Sequence, residues 1–405
     1  MNLIKLQSNK EGRPLFGQQT SRITLFLFFT YVILCVFVSV FPYEIHDSDS
    51  SAYSSIARKL AYQPINTWCA PDWGGHGYNY GLFREHPPGA LWITALFIRI
   101  GVPESSAAFC ANFLYIFLSL YFIYLLTSYF GGPLLGWGAV FAYAFTPIFL
   151  QYLIRANHEH PLNLAVIAGI YGLVRSEESW KYKVIFVVSL IFAFFVKGIF
   201  AFILTILALV YWIVFLRNRR TLLFIVLANL FALGIMFLFE LWYRQVTAGI
   251  GFWVNYINLQ SGRGVVTGFN PLRKIYNLIW YLGRAIWFPA PWVFFIFYGA
   301  YKWRKEKVSL LKDKLFKLSV ISAGCIIFWF SLFDRKADRY IFPAYSFLVL
   351  AGVWVLLRLK PKLMRFLEKR KNMLPVYLSA VLIIFTLLRI LFHIRFYRFI
   401  NLWPG

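Results

Sequence analysis

Apolar runs alternate with short polar segments along almost the whole chain, and most runs are close to the ~20 residues needed to cross a ~30 Å hydrocarbon layer at 1.5 Å per residue. Residues 23–41, 107–128, 133–152, 162–174, 221–241, 275–300, 318–333 and 374–391 read as spans, with a further one ending at Arg358. The run over 184–216, at ~33 residues, is too long for one crossing and is interrupted by Lys197-Gly198. It predicts two spans with Lys197 at the surface between them, which brings the expectation to about eleven. The ~13-residue run over 89–101 is too short to cross and predicts a helix lying on or dipping into the membrane surface. Pro289-Ala-Pro291 predicts a kink in the span 275–300, or a surface helix ahead of it.

Charge orients this pattern. Lys5, Lys10, Arg13 and Arg22 precede the first run, and most strongly basic segments, including Arg217-Asn-Arg219-Arg220 and the cluster over 302–317, then fall on the same side. That side is cytoplasmic by the positive-inside bias, and the first run reads as an anchor rather than a removed leader. The fold class expected is therefore an all-α polytopic membrane protein, a single transmembrane domain over 1–405. Two long outer loops interrupt it, over 42–106 and 242–274. A 60% hydrophobic and 14% charged composition excludes an ordinary soluble domain. The net charge of +25 sits in clusters between apolar runs rather than on one soluble face, so anionic lipid headgroups and not nucleic acid are the expected partners. Cys35, Cys69, Cys110 and Cys325 have no metal-knuckle spacing, although Cys69 and Cys110 both fall on the outer side, where a bridge is open to them.

Candidate chemistry gathers in the first outer loop and in the short outer turns. The loop opens on His46-Asp47-Ser48-Asp49 and closes on Arg84-Glu85-His86-Pro87-Pro88. The outer turns carry His158-Glu159-His160, Lys197, and Arg335-Lys336-Ala-Asp338-Arg339-Tyr340. Positive charge outside defies the usual bias and has a natural target in a lipid-linked phosphate or pyrophosphate. Carboxylates on the same face can take a proton from an attacking hydroxyl or, with histidines beside them, hold a divalent cation. Asp47 and Asp49 are equally suited to capping a surface helix beginning near Ser50, and Lys197 to reaching the interface from an apolar stem.

Five of these segments, in order, are Asp47-Ser-Asp49-Ser-Ser-Ala-Tyr53, Glu85-His86-Pro87-Pro88, Glu159-His160-Pro161-Leu162, Lys197-Gly198 and Arg339-Tyr340-x-x-Pro343. Together they resemble the GT-C membrane glycosyltransferases, and more narrowly the bacterial group of lipid A aminoarabinose transferases and relatives of protein O-mannosyltransferases. The resemblance implies a GT-C-like helical bundle at the cytoplasmic (inner) membrane, acting on its outer face, with a polyprenyl-phosphate-linked sugar as donor. It implies a glycan, lipid or protein acceptor from the cell envelope, and inversion at the anomeric carbon. It selects Asp49 as the catalytic acid with Asp47 beside it, and Glu85 from the carboxylate-x-Pro-Pro signature. Lys197 is placed at the donor phosphate, with Arg339, Tyr340, Arg84, Arg335, His86 and Tyr53 as further substrate-binding residues. A divalent metal on Glu159, His158 and His160 is the one cofactor admitted, because this second loop is richer in histidine than usual. The alternatives are a transporter or flippase of a lipid-linked sugar, which would carry ionisable groups near mid-membrane, and a non-catalytic envelope-assembly protein.

Overall fold

In a computed structural model of the chain, the residues described are 47–74, 81–153, 155–260, 270–306 and 312–359, with the isolated positions 380 and 384. The first and last expected spans, over 23–41 and 374–391, lie outside the described residues apart from those two positions. What is described is almost wholly helical, with one isolated bridge between Asp72 and Leu82.

The surface layer is built first. Helix α1, Ser48–Tyr62, is capped by Asp47, and α2, Gly89–Arg99, packs beneath it. With 11 residues α2 is too short to span, as its sequence predicts, and the contact buries Ile56, Leu60, Leu91 and Ala95 in a small core of its own. Helix α3, Glu104–Ala144, holds the expected span 107–128 and the first part of 133–152, with a break at Gly132. There the backbone adopts φ 80°, ψ 173°, a conformation open to glycine, and the chain doubles back so that Tyr124 and Trp137 stack with ring centres 5.0 Å apart. The short helix α4, Pro147–Tyr152, closes this arm.

Helix α5, Glu159–Val174, is the centre of the molecule, with every residue from Glu159 to Leu173 buried. Helix α6, Trp180–Lys197, lies tightly along it because Gly172 has no side chain: a Cβ there would sit 2.7 Å from the Phe186 nitrogen and the Tyr182 oxygen. After a turn over Gly198–Ala201, α7, Phe202–Tyr211, runs away from the surface layer, and α8, Arg219–Val246, returns. Leu223, Val226, Leu230, Phe231, Phe237 and Leu238 are all exposed on α8, an apolar outer wall that only lipid can solvate. Helix α9, Trp253–Gln260, follows in the second outer loop.

The proline break separates two helices, α10, Pro271–Trp287, and α11, Trp292–Glu306. Ion pairs from Lys274 to Asp334 and from Arg284 to Asp338 tie both ends of α10 to the turn ahead of Phe342. Helices α12, Lys314–Ser331, and α13, Phe342–Leu359, pack together and against the central bundle. Five helical stretches among the described residues are long and apolar enough to cross a membrane, and the folded-back α3 is one of them. The protein is a multi-pass membrane protein; Cys69, Cys110 and Cys325 are free thiols.

Candidate active site

Where the ends of α1, α5, α6 and α13 meet, the turns between them close around a cavity. Asp49, Tyr53, Glu85, His86, His158, Glu159, Lys197, Arg335, Arg339 and Tyr340 line it, so ten of the residues singled out in sequence converge although they span nearly 300 positions.

The two aspartates of the first loop have separate roles. Helix α1 begins at Ser48 rather than near Ser50, and Asp47 is its cap, accepting from the Ser50 backbone N–H at 2.9 Å and from the Ser50 hydroxyl at 2.7 Å. Asp49 sits inside the first turn and forms an ion pair with Arg339. Arg339 in turn comes within 3.9 Å of Glu159, so one guanidinium bridges two carboxylates from distant parts of the chain. Glu159 is only 3% exposed at the outer end of α5, and Lys197 is 7% exposed at the end of α6. Such charges are tolerated away from water only with opposite charges beside them. With Asp49, Glu85 and Glu159 facing Lys197, Arg335 and Arg339, the cavity is charged but balanced.

Lys197 is held by its backbone. Gly198 has φ 58°, and the Tyr256 hydroxyl from α9 donates to the Lys197 carbonyl at 2.9 Å. A Cβ on Gly198 would meet the Tyr256 ring and hydroxyl at 2.5 Å, so both the conformation and the contact require glycine. The ammonium lies 5.8 Å from the centre of the Tyr340 ring. Gln260, at the other end of α9, donates to the Glu85 carbonyl at 2.8 Å. The second outer loop therefore fastens two parts of the site at once.

Aromatic packing fixes the remaining wall. His158 lies edge-on to Tyr53 with ring centres 4.5 Å apart, and 4.6 Å from His86. Burial, reinforced by the positive charges of Lys197 and Arg339, pushes the His158 imidazole well below the ordinary histidine range, so it is neutral. Tyr53 is driven the opposite way, first by burial and then by Asp49, Glu85 and Glu159, and it keeps its proton.

Three expected site residues lie off the cavity. Asp47 is occupied as a cap. Arg84 is 3% exposed and donates to the Gly251 carbonyl at 3.3 Å, bracing the second loop. His160 points its Nε2 at the Tyr152 carbonyl, 2.9 Å away, and packs on Phe342. Asn157, Phe200 and Gln260 also line the cavity and were not singled out in sequence. Asn157 and Phe200 stand within three residues of Glu159 and Lys197, which is a usable signal; Gln260 has none, because its partner Glu85 is 175 positions away.

Residues 85–243 match the family described as dolichyl-phosphate-mannose-protein mannosyltransferase. The fold is similar to that of ArnT from Cupriavidus metallidurans bound to undecaprenyl phosphate, with a TM-score of 0.66 at 16% identity over 90% of this chain and 63% of that one. The fold is GT-C-like. The apo state of the same ArnT gives a TM-score of 0.64 at 16% identity, over 90% of this chain and 64% of that one. The Archaeoglobus fulgidus oligosaccharyltransferase in complex with Zn and sulfate gives 0.50 at 16% identity, over 87% and 52% respectively. This GT-C-like chain thus spans under two thirds of the ArnT length. No curated relative matches it in sequence. A zinc-bearing neighbour raises the question of a metal here, but among the described residues no group of three or more His, Cys, Asp or Glu side chains is arranged to hold one. The pattern His158-Glu159-His160 does not assemble into a ligand set, because His160 is turned away to the Tyr152 carbonyl.

Proposed function

We propose that the protein is an inverting glycosyltransferase that moves a sugar from a polyprenyl-phosphate carrier to an envelope glycan, lipid or protein acceptor at the outer face of the cytoplasmic membrane. The observation that carries this reading is one cavity where Lys197 and Arg339 stand against Asp49, Glu85 and Glu159. The acceptor hydroxyl attacks the anomeric carbon, the bond from that carbon to the phosphate oxygen breaks, and phosphate leaves as an anion. Lys197 and Arg339, with Arg335, stabilise the developing charge in a poorly hydrated site. Asp49 orients the acceptor and takes its proton. Attack from the side opposite the phosphate inverts the centre. Tyr53 and Tyr340 form the aromatic walls, and helix α9 covers the site from the side of the second loop.

The fold likeness to ArnT and the family match over residues 85–243 support a transferase reading. A transporter of the same lipid is expected to carry ionisable groups near mid-membrane, whereas the described cluster gathers at helix ends around one cavity. The test is to incubate right-side-out and inverted membrane vesicles with radiolabelled polyprenyl-phosphate sugars and a panel of acceptors. Label is expected to pass to an acceptor, and only when both substrates are on the outer face. Release of no labelled product with any donor, or transfer only from the cytoplasmic side, overturns the proposal.

A further inference from the structure

Helix α8 carries a single carboxylate, Glu240, near the end that leads into the second loop. Its side chain is only 12% exposed in an otherwise apolar stretch, a setting in which an acid needs partners. Glu240 Oε2 accepts from the backbone N–H groups of Phe252 at 3.0 Å and Trp253 at 3.1 Å, and Oε1 accepts from Arg244 Nε at 2.8 Å. Phe252 and Trp253 open helix α9, and the first N–H groups of a helix find no partner within it. The carboxylate satisfies two of them and stands at the positive end of the helix dipole.

The chain fits closely over this contact. A Cβ on Gly251 would lie 2.8 Å from Glu240 Oε1 and 2.9 Å from an Arg244 guanidinium nitrogen. Trp253 donates its indole N–H to the Met236 carbonyl at 3.1 Å, and Phe252, fully buried, packs on Phe239 and Tyr243. Met236, Phe239, Glu240 and Tyr243 fall at the i, i+3, i+4, i+7 spacing of one helix face. That face of α8 holds the start of α9, whereas the exposed apolar residues form its lipid-facing wall.

At eight residues α9 is too short to keep its shape unaided. Tyr256 and Gln260, four apart and so on one side of it, grip the Lys197 and Glu85 carbonyls. Glu240 itself does not line the charged cavity and reaches it only through α9.

We propose that Glu240 is a positioning residue: by pinning the first turn of α9 it sets the rotation of that helix, and so holds Lys197 and Glu85 in register across the cavity. The proposal rests on the glycosyltransferase reading for what Lys197 binds, but not for how Lys197 is held.

The experiment uses the full-length protein in lipid nanodiscs, with two readouts: the rate at which an amine-reactive reagent acylates Lys197, followed by mass spectrometry, and the affinity for polyprenyl phosphate. Glu240→Gln keeps an oxygen in reach of both N–H groups and loses the charge. Glu240→Asp keeps the charge and draws the oxygens back by one methylene. If reach to α9 is what matters, Glu240→Gln stays within about threefold of the parent in both readouts, whereas Glu240→Asp acylates Lys197 faster and binds polyprenyl phosphate more weakly, each by about tenfold. Tyr256→Phe, which removes only the hydroxyl on the Lys197 carbonyl, is expected to shift both in the same direction. Combined with Glu240→Asp it adds little, because the two act through one helix. Parent-like acylation and affinity in Glu240→Asp, a greater loss in Glu240→Gln than in Glu240→Asp, or full additivity with Tyr256→Phe overturns the positioning role. A wild type that binds no polyprenyl phosphate overturns the donor reading instead, and the acylation of Lys197 then decides the positioning role by itself.

Discussion

Asp49→Asn is expected to reduce sugar transfer by about 10²- to 10⁴-fold, the range for loss of a positioned base. Asp47→Asn should leave most of the activity. The difference follows from local structure. Asp47 is used as a cap of α1, and an asparagine caps nearly as well as an aspartate, so its substitution costs at most a fraction of a capping interaction. Asp49 instead faces the cavity, and an amide in its place keeps the size while losing both the charge and the capacity to take a proton. Donor binding should survive, because Lys197 and Arg339 remain. The measurement is initial transfer rate at saturating donor, with donor affinity determined separately. Asp49→Asn activity within tenfold of the parent, combined with a large loss in Asp47→Asn, would reverse the assignment of the two residues.

Lys197→Met is expected to weaken donor affinity by about ten- to a hundredfold, the equivalent of one charge-assisted contact of roughly 1.5 to 3 kcal/mol. Methionine keeps the length and apolar stem of the side chain, so the packing at the end of α6 is retained. Lys197 is the better probe of the two cations. Removing Arg339 would also break its ion pair with Asp49 and its contact with Glu159, which mixes any loss of donor affinity with a rearranged cavity. Titration of the variant with polyprenyl phosphate decides the matter. An affinity equal to that of the parent would move phosphate recognition to Arg335 or Arg339.

Much of this arrangement is legible in the sequence because a membrane leaves little choice. Apolar length predicts the crossings and charge bias their direction, and of the many cations expected to defy that bias Lys197, Arg335 and Arg339 line the cavity. The doubled-back α3 was readable from Gly131-Gly132-Pro133, and the split of the long run from Lys197-Gly198. What was not legible depends on direction rather than position. Arg84 sits next to Glu85, yet its side chain points to the second loop and its neighbour's lines the site. His158 and His160 are two apart at the head of a helix, yet His158 lines the cavity and His160 faces the Tyr152 carbonyl. Arg273 and Arg284 stand in no motif, and both approach aspartates in the turn ahead of α13. The contribution of α9 could not be foreseen at all, since Tyr256 and Gln260 act through backbone carbonyls that carry no side-chain signature.

The ion pair between Asp49 and Arg339 has a consequence for timing. The Asp49 carboxylate is held by a cationic partner, which competes with any hydroxyl that enters the cavity, water included. An arriving phosphate competes for the same guanidinium and loosens its hold on Asp49. On the proposed transferase reading the lipid carrier would gate the chemistry, with donor adding before acceptor and wasteful hydrolysis restrained without a separate lid.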